Sequence, residues 1–109
     1  MDLELFVNKL EKLVETIDNT TEIVENNITD GKEKMEILIK ELTKLFPEWS
    51  YFIRQTQIGN EEDIINILKD INQGMAATDS ILLSDALEFG LKSLAVEYIN
   101  IIKEALDEE

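Results

Sequence analysis

Apolar residues return every three or four positions along almost the whole of this chain, and that rhythm restricts the fold to packed α-helices. Leu3, Phe6, Leu10, Leu13, Ile17, Thr20 and Val24 keep a 3-4 alternation, with Val7, Val14, Thr21 and Ile28 beside them. Met35, Leu38, Leu42, Leu45, Trp49, Phe52 and Thr56 repeat it, flanked by Ile39, Phe46 and Ile53. A shorter stripe holds Ile64, Leu68, Ile71 and Met75. The last segment carries a broad seam, Leu83, Leu87, Leu91, Leu94, Tyr98, Ile102 and Ala105. A narrower seam of Leu82, Ala86, Phe89 and Val96 runs on its opposite side, with Ser93 at the missing step. A helix with two seams is either central in its bundle or touches something outside it.

Punctuation agrees with the stripes. Thr29-Asp30-Gly31 is a reversal, with Asp30 and Glu33 spaced as a capping pair. Gly59-Asn60 is a break with Asn60 as the cap, and Thr78-Asp79-Ser80 supplies capping residues before the last helix. The resulting expectation is an all-α antiparallel four-helix bundle, one domain over residues 1–109. Its long helices cover about 2–28, 31–57 and 80–106, and its short helix about 61–75. Thr20 and Thr21 in the first stripe predict looser packing there. Pro47 interrupts the second stripe, at about 3 kcal/mol in a helix interior. One helix kinked at Pro47 and two collinear helices both satisfy the spacing; the unbroken register favours the kinked helix.

The chemistry of the chain is narrow. It has no histidine and no cysteine, the side chains that most often act as general base, thiolate nucleophile or transition-metal ligand. Four glycines and no phosphate-loop or nucleophile-elbow motif leave nothing to cradle a phosphate or raise a serine. No cofactor and no resident metal are expected. Carboxylate pairs three residues apart, as at Glu22/Glu25, Glu33/Glu36, Asp85/Glu88 and Glu104/Asp107, are no more frequent than the acid content produces by chance. There are 24 acidic against 10 basic residues, a net charge of −14. That balance disfavours nucleic acid and anionic membrane surfaces, which bind through Lys and Arg. The absence of cysteine, of a long apolar run and of a basic leader at Met1-Asp2-Leu3-Glu4 fits a cytoplasmic setting.

From Ile67 to Leu91 the chain reads Leu68-x-x-Ile71-Asn72, then Asp79-x-Ile81-Leu82-Leu83-x-Asp85-x-Leu87-Glu88-Phe89. This resembles the Asp-aromatic-Val-Leu-Leu-Ala-Asp-Leu-Leu-Glu-Tyr signature of a small, uncharacterised all-helical protein family of low-GC Gram-positive bacteria. Ser80 stands where that signature has an aromatic residue, and Gly90 where it has an acid. The resemblance implies a helical fold and a bacterial source and no particular activity. Asp79, Asp85 and Glu88 match its polar positions.

The expectation for function is a non-enzymatic protein–protein interaction module, an adaptor or chaperone-like bundle. It would bind a protein partner's helix or form a homodimer through Leu82, Ala86, Phe89 and Val96. Tyr51 and Arg54 lie off the core register and belong to a class of residue that anchors interfaces, so they join the candidate contacts. The alternative is a carboxylate-based, metal-dependent nucleotide or phosphoester hydrolase built on Glu22, Glu25, Glu33 and Glu36. A third reading, an acidic mimic of nucleic acid, is weakened by the lysines interleaved with acids along the first two helices.

Overall fold

Each stripe closes into a helix. The computed structural model describes residues 1–107. In it α1 spans Leu3–Asn26, α2 Lys32–Thr56 and α3 Glu61–Ala76. The fourth helix is composite: α4 (Ser80–Asp85), a π-helical segment (Ala86–Lys92) and α5 (Ser93–Asp107) run into one another. The molecule measures 45 × 23 × 20 Å, the length of its longest helices plus their turns.

Contacts between helices fix their directions. Following α1 from Lys9 to Thr16, the partners on α2 run backwards, from Glu48 to Glu41. Lys92 reaches Asp18 at 2.8 Å and Lys103 reaches Glu11 at 3.2 Å, so α1 and the composite helix are also antiparallel. Between α3 and the composite helix, Gly74 lies against Leu83 and Ile67 against Gly90, again in opposite senses. The topology is up-down-up-down. These ion pairs are solvent-exposed and contribute at most about 1 kcal/mol each; apolar burial carries the stability.

The core is the union of the stripes. Phe6, Leu10, Leu13 and Ile17 of α1 meet Met35, Leu38, Leu42, Leu45 and Trp49 of α2, and Leu83, Leu87, Leu91 and Tyr98 close the far side. Large aromatic side chains bridge α2 to α5. Trp49 meets Tyr98 edge-on at 5.4 Å between ring centroids, and Phe52 stands between Tyr98 at 5.9 Å and Phe6 at 5.5 Å. Thr20 and Thr21 are not a loose spot. Both are buried, and their hydroxyls donate to the carbonyls of Thr16 (2.7 Å) and Ile17 (2.8 Å), which removes the penalty of an unpaired polar group.

Helix ends follow the capping signals with one exception. The carboxylates of Asp2 and Asp79 accept from the N–H of Leu5 (3.1 Å) and Leu82 (3.0 Å), and Asn60 accepts from Glu62 at 2.9 Å. The Asp30/Glu33 cap does not form: Gly31 precedes α2 and no side chain caps it. Asn27 ends α1 instead, its side chain accepting from the N–H of Thr29 at 2.9 Å. A side chain at Gly31 would come within 2.5 Å of Val24. Pro47 does not divide α2, which is continuous to Thr56. Pro47 is exposed, and the carbonyl it strips of a partner belongs to exposed Thr43, where water can serve it.

Gly74 and Gly90 mark the close approach of α3 to the composite helix. A Cβ on Gly74 would lie 3.1 Å from the Leu83 backbone, and the tight hairpin that follows holds Thr78 at φ 53°, unusual for a β-branched residue. A Cβ on Gly90 would meet Ile67 at an ordinary 3.4 Å. Gly74→Ala should therefore destabilise by about 1–3 kcal/mol, as overpacking does. Gly90→Ala should be neutral or stabilising by up to about 1 kcal/mol, since it removes only glycine's backbone freedom. Urea midpoints of the two variants check the contrast.

The turn between α2 and α3 rests on Tyr98, whose hydroxyl donates to the carbonyl of Ile58 at 3.2 Å. Gly59, at φ 82°, is packed against that hydroxyl so closely that no Cβ fits. Burial, with Asp63 and Glu97 adding to it, pushes the Tyr98 phenol up from its ordinary value. A raised value means the folded state holds the proton more tightly, so this contribution is intact below about pH 10 and is lost as pH rises further. Tyr98→Phe should lower stability at neutral pH by about 1 kcal/mol, one hydrogen bond. It should also flatten the alkaline fall, seen as converging wild-type and variant unfolding curves above about pH 10.

Candidate functional site

The composite helix departs from α geometry where its core residues demand it. Four residues turn an α-helix by about 400°, so successive steps of four drift by about 40° each. Leu83, Leu87, Leu91 and Ala95 are spaced by three such steps, yet all four are fully buried. The π-helical turns of Ala86–Lys92 absorb the drift, because i→i+5 bonding spreads each turn over more residues. The inward line continues through Tyr98, Ile99 and Ile102, while Leu94, expected on it, is half-buried and Ala105 is exposed.

The same widening rearranges the opposite seam. Ala86 belongs to the core instead of the surface, while Leu82 and Val96 are half-buried. Phe89 is pushed outward and is 70% exposed. It borders an open cleft of about 600 Å³ with Glu88, Lys92, Val96, Glu97 and Asn100. Lys92 is committed to Asp18, whose carboxylate raises the lysine's proton affinity. Glu88 and Glu97 make no ion pair among the described residues, so the cleft has an apolar floor and a net acidic rim. Ile81, in the first turn of α4, is 74% exposed. Apolar spacing does not single it out; the signal is its place in the triplet Ile81-Leu82-Leu83, of which a helix can bury only part.

Tyr51 and Arg54 do not join this surface. Tyr51 is half-exposed and lines a separate cleft of about 390 Å³ with Met1, Leu5 and Pro47, between the start of α1 and the end of α2. Arg54 is held by Glu61 at 2.7 Å across the α2–α3 turn. The pair lowers the Glu61 carboxyl below its usual value, with Ser50 assisting, and raises the guanidinium. A third cleft, of about 270 Å³, gathers Lys9, Lys12 and Lys44 with Glu41 and Glu48 between α1 and α2. Lys9 and Lys12 lie three residues apart on the flank of the first stripe that turns toward α2, a placement legible only once the pairing of helices is known.

The carboxylates of the hydrolase alternative are not drawn together. Glu22, Glu25, Glu33 and Glu36 are exposed, and among the described residues no three acids converge on a cation-sized site. Of the residues carrying the family resemblance, Asp79 caps α4 while Asp85 and Glu88 are exposed on the displaced turn. No described helix is long and apolar enough to cross a membrane. The chain matches no family model, no curated protein and no solved structure in the comparisons made.

The π segment holds one residue more than a regular helix needs. Deleting Phe89 would change the successive steps of Leu83, Leu87, Leu91 and Ala95 to four, three and four, which an α-helix satisfies. The deletion should leave a folded bundle with full helicity and a midpoint within about 2 kcal/mol of wild type, far less than a lost core residue costs. Circular dichroism and thermal melting check this; an unfolded product would show that the wide turn is required for the fold.

Proposed function

We propose that this protein is a non-enzymatic interaction module, an adaptor or chaperone-like bundle that receives a helix of another protein, or of a second copy, against the face of the π segment. The observation that carries the reading is Phe89: a large aromatic side chain held outward beside an open cleft, in a helix whose core is complete without it. π-helical turns are uncommon and frequent at functional sites, which adds weight. The half-buried Leu82 and Val96 supply apolar surface on either side. The acidic composition, the lack of a membrane-spanning helix and the weak resemblance to small helical bacterial proteins are compatible with this role.

Phe89→Asp tests it. Because the side chain is exposed, the substitution should change stability by no more than about 0.5 kcal/mol. Association should be lost. Sedimentation over a concentration series reads self-association, and retention of proteins from a source-organism lysate on immobilised wild type and variant reads partner binding. A folded variant that associates as wild type does would remove this face from consideration.

A further inference from the structure

The Phe89 cleft has a charge pattern that selects its occupant. Its base, Lys92, pairs with Asp18 and also feels the charge of Glu88, so Glu88 and Glu97, about 13 Å apart along the helix, leave the rim net negative. Asp85 stands one turn before Glu88 on the same exposed stretch. The base-rich cleft of Lys9, Lys12 and Lys44 opens between α1 and α2 and does not line this rim. A second copy laid on this face would set Glu88 and Glu97 against their own kind, in a chain that already carries −14, and like charges in apposition oppose docking. A basic segment meets the opposite condition: the apolar floor accepts a hydrophobic side chain, and the rim accepts cations on both sides of it.

We infer that the cleft takes a basic amphipathic helix, one that seats an apolar side chain against Phe89 and Val96 and brings Lys or Arg to Glu88 and Glu97. This rests on the interaction reading above and names its partner class. The partner helix carries its basic residues about two and a half turns apart, flanking a leucine or aromatic residue. Association is fast and salt-sensitive, because exposed acids steer a cationic partner while burial at Phe89 sets its residence.

The test uses the full chain and two dye-labelled peptides of about 18 residues, five helical turns. One is an amphipathic Leu/Lys sequence and the other has the same leucines with Glu in place of Lys. Fluorescence anisotropy should show binding of the Leu/Lys peptide alone, weakening about tenfold or more between low and high salt. The double variant E88K/E97K should weaken it about tenfold or more, and the control E33K/E36K, an equal change in net charge on α2, should leave it unchanged. Phe89→Asp makes the chain more acidic, so weaker binding of the basic peptide by that variant identifies an apolar seat. If the control double variant weakens binding as much as E88K/E97K, the attraction is diffuse and the proposal falls. It falls equally if the Leu/Glu peptide binds as well, although the interaction reading then survives. Absence of binding to either peptide, with association still lost in Phe89→Asp, overturns the basic partner and keeps the module; unchanged association in Phe89→Asp overturns both.

Discussion

Four buried side chains at steps of four, Leu83, Leu87, Leu91 and Ala95, govern the rest of this structure, since a regular α-helix cannot keep all of them on one line. The chain resolves the conflict by widening its turns from Ala86 to Lys92 and keeps the core closed. Burying three leucines contributes several kilocalories per mole, about 2 each, which outweighs the poorer hydrogen bonding of a short π segment. The geometry of the core thus decides what faces outward: the residue that the wide turn leaves over is Phe89. An exposed aromatic side chain in this molecule is the consequence of an inward constraint.

The rest of the packing supports that arrangement. Against the wide turn lies α3, brought close by Gly74 at Leu83 and by Gly90 beside Ile67. Gly74 lets the α3 backbone approach that of Leu83, and the hairpin connecting the two helices holds a left-handed Thr78. On the other side α1 supplies Leu10, Leu13 and Ile17, and its Asp18 takes the charge of Lys92. The polar contacts between helices are few and exposed, so they add little to stability; they do distribute charge. Among the described residues, four basic side chains are paired with acids across helices, in a chain with 24 acidic residues against 10 basic ones.

Much of this was legible in the residues. The 3-4 spacing of α1 and α2 fixed their length and inward faces to within two or three residues, because a stripe of Leu, Ile and Phe has one low-energy disposition in water. Asn60 and Asp79 announced helix starts through short side chains that reach their own backbone. Asp30 did not, because the same residue type also favours turns, and Asn27 took that part first. The continuity of α2 at Pro47 was legible from register alone. The spacing of Leu83, Leu87 and Leu91 was visible too, but read with an α period it directed the line to Leu94 and assigned Ala86 to the surface. Only the joint burial of Leu91 and Ala95 reveals the extra residue. Tyr51 and Arg54 were read from composition, and composition does not contain distance: one lines another cleft, and the other is occupied by Glu61.

What the molecule can do follows from where its unspent groups lie. The titratable groups with displaced proton affinities are Tyr98, which holds a turn, and members of ion pairs at helix surfaces, none beside a nucleophile or an electrophile. The contact proposed above draws on an exposed apolar side chain, open space beside it and a charge pattern around it. The π segment has all three. Because the core is satisfied by other residues, the contact proposed for this face would draw on atoms other than those that hold the bundle together. Around it, α1 engages Lys92 through Asp18 and α3 sets Ile67 beside Gly90, so the turn that presents Phe89 is packed from both sides.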